Sequence, residues 1–491
     1  MSNIHLIGIG GAGLSAIAAV LLQQGYAVSG SDVQASPATE RLAQLGATVF
    51  IGHRPENLPD RVDAVIISSA IPAGNPELRV AQQRGLRVVK RAEWLGQMMQ
   101  GRVGIAIAGT HGKTTTTALT AFLLQQAGLD PTYMVGGFVP QLGGNAAAGL
   151  GQAFVIEADE YDYMFLGLRP QMAVVTMVEW DHPDIFPTPQ AFEQAFVDFV
   201  QLVPPDGLVI GCGDEPKVRR VLAQAQARVI TYGLQAGNDW QAVELQPNRQ
   251  GGHDFKVKQR MLPEVDSKQP NSSFTPAPLV LPARASVRAG ASVIQPSSFS
   301  LSLPGVHNVL NALAGLIVAD QQGIPLDRAA EILSRFKGVG RRFELKGEVN
   351  GITVIDDYAH HPTEIRATLA AARSRFGDRP IWAVFQPHTF SRTVALLDDF
   401  AAAFDLADHV IIVDIFASRE VDEGQIHSRE LVQRMAHPDA RYLGSLREAA
   451  AYLVEQLAPP AVLLTLGAGD GYQVGEWVLE KLNVDGNDLL V

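Results

Sequence analysis

Short apolar runs, each closed by glycine, proline or hydroxyl residues, alternate along this chain with longer Ala/Leu-rich segments of helical spacing. The first run, residues 3–9, places Ile4, Leu6, Ile7 and Ile9 in a strand, followed by helical residues 14–24 and a strand at 26–30. Helical residues 39–45 and 76–84 then alternate with strands at 47–50, 64–67 and 86–89. A second series opens near Val103, with strands at 105–108, 153–156, 174–176, 208–211 and 228–232 and helices from Lys113, at 191–203 and at 215–224. Helical stretches at 309–322 and 326–336 close it. A third series sets strands at 352–356, 381–385, 409–413 and 461–466 among helices at 363–375, 394–404, 428–435 and 446–456. Strands separated by helices of this length predict parallel sheets, whose ligands lie beyond the carboxyl ends of the strands. The pattern lapses only at 251–298, where Ser, Pro and Gln dominate; a β-ribbon excursion with a mobile loop around 263–278 is expected there.

The polar residues that close these runs carry the candidate chemistry. The first turn reads Gly8-x-Gly10-x-x-Gly13, with Gly11 and Ala12 inside it, and Ser31-Asp32 ends the next strand 19 residues after Gly13. That is the layout of a nucleotide-binding βαβ unit, where glycines admit a diphosphate and an acid meets a ribose hydroxyl. A plain glycine turn shows the same pattern, so both readings stand. Ser68-Ser69 ends the strand at 64–67, as a ligand contact or as a helix-capping turn.

The second series opens on Gly109-Thr110-His111-Gly112-Lys113-Thr114-Thr115, between a strand and a helix. Unless the Gly-Lys-Thr run is fortuitous, backbone N–H groups and a helix N-terminus would converge there on phosphate, Lys113 would reach the β and γ phosphates of a nucleoside triphosphate, and the Thr114 hydroxyl would ligate Mg²⁺. The spacing between its glycines is shorter than in the G-x-x-x-x-G-K-[ST] form. Glu157-Ala158-Asp159-Glu160 ends the strand at 153–156 with carboxylates suited to a hard cation, and Glu179-Trp180-Asp181-His182 sets His182 beside two acids for a metal or substrate role. In the third series, strands end in Asp356-Asp357-Tyr358-Ala359-His360-His361-Pro362 and in Gln386-Pro387-His388-Thr389-Phe390-Ser391-Arg392.

Composition narrows the classes. At 491 residues, a soft figure of about 150 residues per domain gives three, matching the three series. The expected domains are 1–101, 102–336 including the excursion, and 337–491. A formal charge of −12 argues against nonspecific nucleic-acid binding, and no apolar run approaches a membrane span. A single cysteine, Cys212, and no basic leader at the N-terminus lead us to expect a cytoplasmic protein.

Taken in order, these motifs, together with His307-Asn308-x-x-Asn311, Arg341-Arg342-Phe343-Glu344 and Phe385-Gln386-Pro387-His388, resemble the ATP-dependent Mur ligases of peptidoglycan synthesis over nearly the whole chain. The resemblance implies an α/β protein of three domains: an N-terminal Rossmann-like UDP-binding domain, a central P-loop-type ATPase domain with a mostly parallel sheet, and a C-terminal Rossmann-like domain. It implies that Gly8, Gly10, Gly11, Ala12 and Gly13, with Asp32, Ser68 and Ser69, hold a UDP-sugar, and that the Gly109–Thr115 loop with Lys113 holds ATP. Thr114, Glu157 and His182 would stand near Mg²⁺, His307, Asn308 and Asn311 near adenine, and Arg342 and Asp357 would bring the last domain to the nucleotide. His360, His388 and Arg392 would face phosphate or the amino acid. The expected reaction joins L-alanine to the lactyl carboxylate of UDP-N-acetylmuramate through an acyl phosphate, by a monomer or weak homodimer. The chain departs from the family's usual residues at Met177, Trp180, Val306 and Ser418-Arg419-Glu420. Three other readings remain: a recycling ligase adding a preformed peptide to the same sugar nucleotide, an NAD-dependent oxidoreductase using the first glycine turn, and an ATP-switched regulator.

Overall fold

The computed structural model describes residues 2–260 and 297–487, with side chains through residue 483. The excursion's expected loop at 263–278 lies outside the described residues; its flanks, His253–Gln259 and Ser297–Leu301, pair antiparallel.

The apolar runs assemble into three sheets of five, ten and six strands. In the first, Asn3–Ile7 lies centrally between Ala27–Asp32 and Ala64–Ile67, and all five strands run parallel. Its one deeply buried carboxylate, Glu77, is satisfied by His5, Ser31, Asn57 and the Arg54 N–H, which is why burial does not keep it protonated and its pKa falls to about 2. In the second sheet, Val103–Ala108 sits between Met172–Val175 and Ala153–Glu157, both parallel to it, and antiparallel strands extend both edges. Helices Lys113–Gln126 and Val306–Gln321 pack together along one face. The third sheet is parallel except for Glu344–Val349 at its edge.

Two kinds of junction join these units. Ile17 and Trp94 of the first unit share one apolar cluster with Ala146, Phe165 and Phe196 of the second. The third unit keeps its own apolar clusters and meets the second chiefly through polar and charged pairs such as Arg392–Asp181 and His111–Glu364. Interfaces of the second kind permit relative domain motion; those of the first resist it.

One expected helix is corrected. In place of one helix over 394–404 the chain forms two short helices, Phe390–Ala395 and Leu397–Ala401, broken at Leu396, which leaves helical geometry at φ −118°, ψ 23° and has a buried side chain.

Candidate functional site

At the carboxyl end of Val103–Ala108 the chain turns at Gly109, whose φ of +140° and contact with Thr176 leave no room for a β-carbon. The loop is pinned from the neighbouring strand end. The Thr110 N–H donates to the Met177 carbonyl (2.9 Å), the Thr110 hydroxyl to the Glu179 carbonyl (2.7 Å), and the Thr176 hydroxyl to the His111 carbonyl (2.5 Å). Helix Lys113–Gln126 then begins with no side chain capping its first turn, which leaves N–H groups free to meet an anion. Gly109→Ala is expected to cost about 3 kcal/mol or more through combined strain and overlap. Thermal unfolding checks this, and a variant melting within about one degree of the parent would refute it.

Around the loop, acids and bases interlock. Lys113 Nζ donates to the Gly109 carbonyl (2.6 Å) and pairs with the buried Glu160 carboxylate (2.9 Å). Burial opposes its charge, but Glu160, Asp159 and Glu157 together hold the ammonium above its ordinary pKa. The Thr114 hydroxyl donates to Glu157 Oε1 (2.9 Å), whose Oε2 accepts the Gly136 N–H (2.6 Å). His111 lies between Glu179 (2.9 Å) and Glu364 of the third unit (3.1 Å); burial opposes its protonation, yet the two carboxylates raise it to about 9. His361 stands 3.8 Å from Glu179, so His111, Glu179 and His361 converge at the same junction.

A cavity with about 1040 Å³ of empty volume opens on this loop, lined among others by Thr115, His307, Asn308, Asn311, Arg342 and Glu364. Asn308 and Asn311 are ordered by each other (3.1 Å), by the Pro304 carbonyl (2.7 Å) and by Thr116 (3.2 Å). Burial lowers His307 to about 4, so it is neutral there.

A second cavity, of about 990 Å³, is built from all three units: the first glycine turn and Ser68-Ser69, then Tyr161 and His182, then His360, His388 and Arg392. Arg91, paired with Asp159 (3.2 Å), occupies the space that a side chain at Gly13 would take. Arg392 is buried and grips both oxygens of Asp181 (2.8 and 3.2 Å), with His388 Nδ1 at 3.1 Å and His182 Nδ1 at 3.4 Å. Burial lowers His360 to about 3 and His388 to about 4, so both imidazoles are neutral at pH 7. The segment 357–364 lines both cavities, Asp357 and Glu364 in the first, Tyr358 and His360 in the second.

Three family models cover the chain: the Mur ligase family catalytic domain at residues 3–103, the Mur ligase middle domain at 107–270, and the Mur ligase glutamate ligase domain at 341–469. The chain belongs to the Mur ligase family. Among relatives of this Mur ligase, the UDP-N-acetylmuramate–L-alanine ligase of Alkaliphilus metalliredigens is 41% identical over 98% of both chains. That of Roseiflexus castenholzii is 43% identical over 98% of this chain and 97% of its own. Of solved structures, UDP-N-acetylmuramate-alanine ligase MurC of Thermotoga maritima matches 99% of this chain and 100% of its own, with a TM-score of 0.77 at 26% identity. A murein peptide ligase of Psychrobacter arcticus matches 98% and 99%, with a TM-score of 0.69 at 26% identity. The three-domain α/β fold expected from the motifs is therefore that of this Mur ligase.

The structure brings most of the sequence-selected residues into the two cavities. Lys113, Thr114 and Glu157 cluster at the loop; Gly112, Thr115, His307, Asn308, Asn311, Arg342 and Asp357 gather around the first cavity; Gly8, Gly11, Ala12, Gly13, Ser68, Ser69, His182, His360, His388 and Arg392 line the second. Two make further contacts within the chain. Asp32 turns its carboxylate to the Gly10 N–H (2.8 Å) and the Val33 N–H (2.8 Å), so it braces the glycine turn. His182 makes no hydrogen bond or ion pair with Thr114 or Glu157 among the described residues and keeps company instead with Asp181, Arg392 and the Tyr161 ring. Of the acids in the quoted motifs, Glu160, Glu179 and Asp181 pair with the site's own cations, and Glu364, given no role from sequence, joins them. Glu364 follows His360 by one helical turn and accepts its N–H (3.0 Å), a spacing readable in the sequence.

Proposed function

We propose that this Mur ligase joins L-alanine to the lactyl carboxylate of UDP-N-acetylmuramate, with ATP as the activating substrate. The observation that carries the reading is segment 357–364, which lines both the cavity at the phosphate loop and the cavity at the diphosphate-type glycine turn, so that a triphosphate and a sugar nucleotide can meet across it. The relatives' shared description supplies the acceptor and the amino acid.

In this reading a carboxylate oxygen of the lactyl group attacks the γ phosphorus, ADP departs, and the amine of L-alanine then displaces phosphate from the acyl carbon. The first step brings two anions together, so this chain's task is neutralisation and positioning. Lys113 and the uncapped helix start meet the phosphates. Asn308 and Asn311 shape the nucleoside end, and the neutral His360 and His388 offer hydrogen-bond partners without adding charge beside the incoming amine.

The Thr114 hydroxyl and Glu157 carboxylate, in contact and both hard oxygen donors, fit Mg²⁺. When bound, the ion would offset phosphate charge. Glu157→Gln is expected to raise the magnesium concentration for half-maximal phosphate release by about tenfold. The same titration on His182→Ala separates two roles: a raised requirement makes His182 a further ligand, and an unchanged one leaves it to the Asp181–Arg392 pair.

The deciding experiment measures phosphate release with UDP-N-acetylmuramate against a panel of amino acids and one tripeptide. Release with L-alanine is expected; release only with the tripeptide would make this a recycling ligase, release without any acceptor a switch. Tight NADH binding would revive the oxidoreductase reading.

A further inference from the structure

An amino acid substrate brings a carboxylate as well as an amine, and the second cavity meets it from the third unit with two guanidinium groups, Arg392 and Arg419. Arg392 already has a buried counter-charge, because Asp181 accepts its Nε and Nη2 N–H groups. Among the described residues Arg419 makes no hydrogen bond or ion pair, and its guanidinium carbon lies 4.1 Å from the centroid of the Tyr161 ring, across the junction between the second and third units.

The loop that carries Arg419 is firmly placed. Phe416 stacks on His388 with ring centroids 5.7 Å apart, its N–H donates to the Pro387 carbonyl (2.8 Å), and its own carbonyl accepts the Thr389 N–H (2.9 Å). Glu420 accepts the N–H groups of Phe390 (2.6 Å) and Ser391 (3.0 Å) and the Ser391 hydroxyl (2.5 Å). Tyr161 is fixed in turn by Asp184 (2.9 Å) and by its edge contact with the His182 ring (5.0 Å). The loop therefore sets the position of an exposed guanidinium whose head rests on the Tyr161 ring at the edge of the cavity.

We propose that Arg419 binds the α-carboxylate of the amino acid substrate and so presents its amine to the acyl carbon. The inference rests on the function proposed above. The other anions would have cations nearer to them: Arg91, which also pairs with Asp159, lies against Gly13 of the first glycine turn, and Lys113, which also pairs with Glu160, lies at the phosphate loop. A guanidinium paired to a carboxylate gives selection for amino acids over simple amines.

The test compares the parent enzyme with Arg419→Met, which keeps a stem over Tyr161, and Arg419→Lys, which keeps the charge. Phosphate release is followed with L-alanine and with L-alaninamide, which lacks the carboxylate. Arg419→Met is expected to raise the KM for L-alanine by about ten- to a hundredfold and to abolish the preference over L-alaninamide, with KM for ATP and for UDP-N-acetylmuramate within about twofold of the parent. Arg419→Lys should lie between. An unchanged KM for L-alanine in Arg419→Met overturns the proposal, as does a rise confined to UDP-N-acetylmuramate, which would assign the arginine to the sugar nucleotide. A parent enzyme that turns over ATP with UDP-N-acetylmuramate only when some other amine is supplied overturns the proposed function, and this inference with it.

Discussion

Lys113→Ala is expected to lower phosphate release by about 10³-fold or more, the scale seen when a preorganised charge is removed from a developing anion. The lysine stands where the helix start, the Gly109 carbonyl and the carboxylates of Glu157, Asp159 and Glu160 meet. Those carboxylates keep it charged, and the loop keeps it within reach of a phosphate at the helix N-terminus. The substitution has a second effect, because Glu160 is only 1% exposed and loses its counter-charge, which costs about 3–5 kcal/mol for a buried pair broken on one side. A lost rate could then reflect a damaged fold. The double variant Lys113→Ala/Glu160→Gln separates the two: it should recover most of the thermal stability and none of the rate. A single variant that keeps more than about a tenth of the parent rate would remove Lys113 from the chemistry.

The units of this fold are legible in the sequence because parallel strands buried on both faces read as unbroken apolar runs. Val103–Ala108 and Ala461–Leu466 are of that kind, and each is buried over nearly its whole length. Glu344–Val349 is not: it is an antiparallel edge strand with mostly half-exposed residues, and its Glu, Lys and Gly positions carry no continuous apolar signal. Thr132–Val139 is masked in another way, since Gly136-Gly137 interrupts it where Glu157 and Val339 press against the backbone. A helical pattern breaks at the buried Leu396, and spacing does not encode that break.

The site divides along the same line. Side chains at the ends of buried strands announce themselves, because glycine, lysine and hydroxyl residues in that order between a strand and a helix have few other uses. Their partners do not. His111 meets Glu364 across 253 positions and Asp181 meets Arg392 across 211, and local patterning says nothing about which strand end will face which. Asp32 shows the converse. Its spacing after Gly13 suits a ribose contact, and the carboxylate also accepts the Gly10 N–H, a bracing role that spacing alone does not announce.

Asp181→Asn is expected to cost both stability and activity, because it breaks the most deeply buried charge pair between the second and third units. Asp181 and Arg392 have side chains 5% and 3% exposed. Removing the carboxylate charge leaves the guanidinium among His182 and His388 without its paired carboxylate, opposed only by the more distant Glu364 and Asp184, at about 3–5 kcal/mol. Since that junction is polar, the loss falls on docking of the third unit, which carries His360, His388 and Arg419 to the second cavity. Phosphate release should drop by about a hundredfold, with thermal unfolding of the third unit shifting ahead of the rest. The double variant Asp181→Asn/Arg392→Met removes both charges and should regain more than half of the lost stability while its activity stays low. The pH dependence has a definite sign. Burial would raise Asp181, but the Arg392 charge holds it well below the usual carboxylate range. The pair's contribution is thus present above the unfolded value of about 3.9 and is lost as pH falls towards the folded one. Acid unfolding of the parent should show this loss, and the double variant should lack it. Equal acid sensitivity in the two proteins would mean that Asp181 and Arg392 do not couple the units.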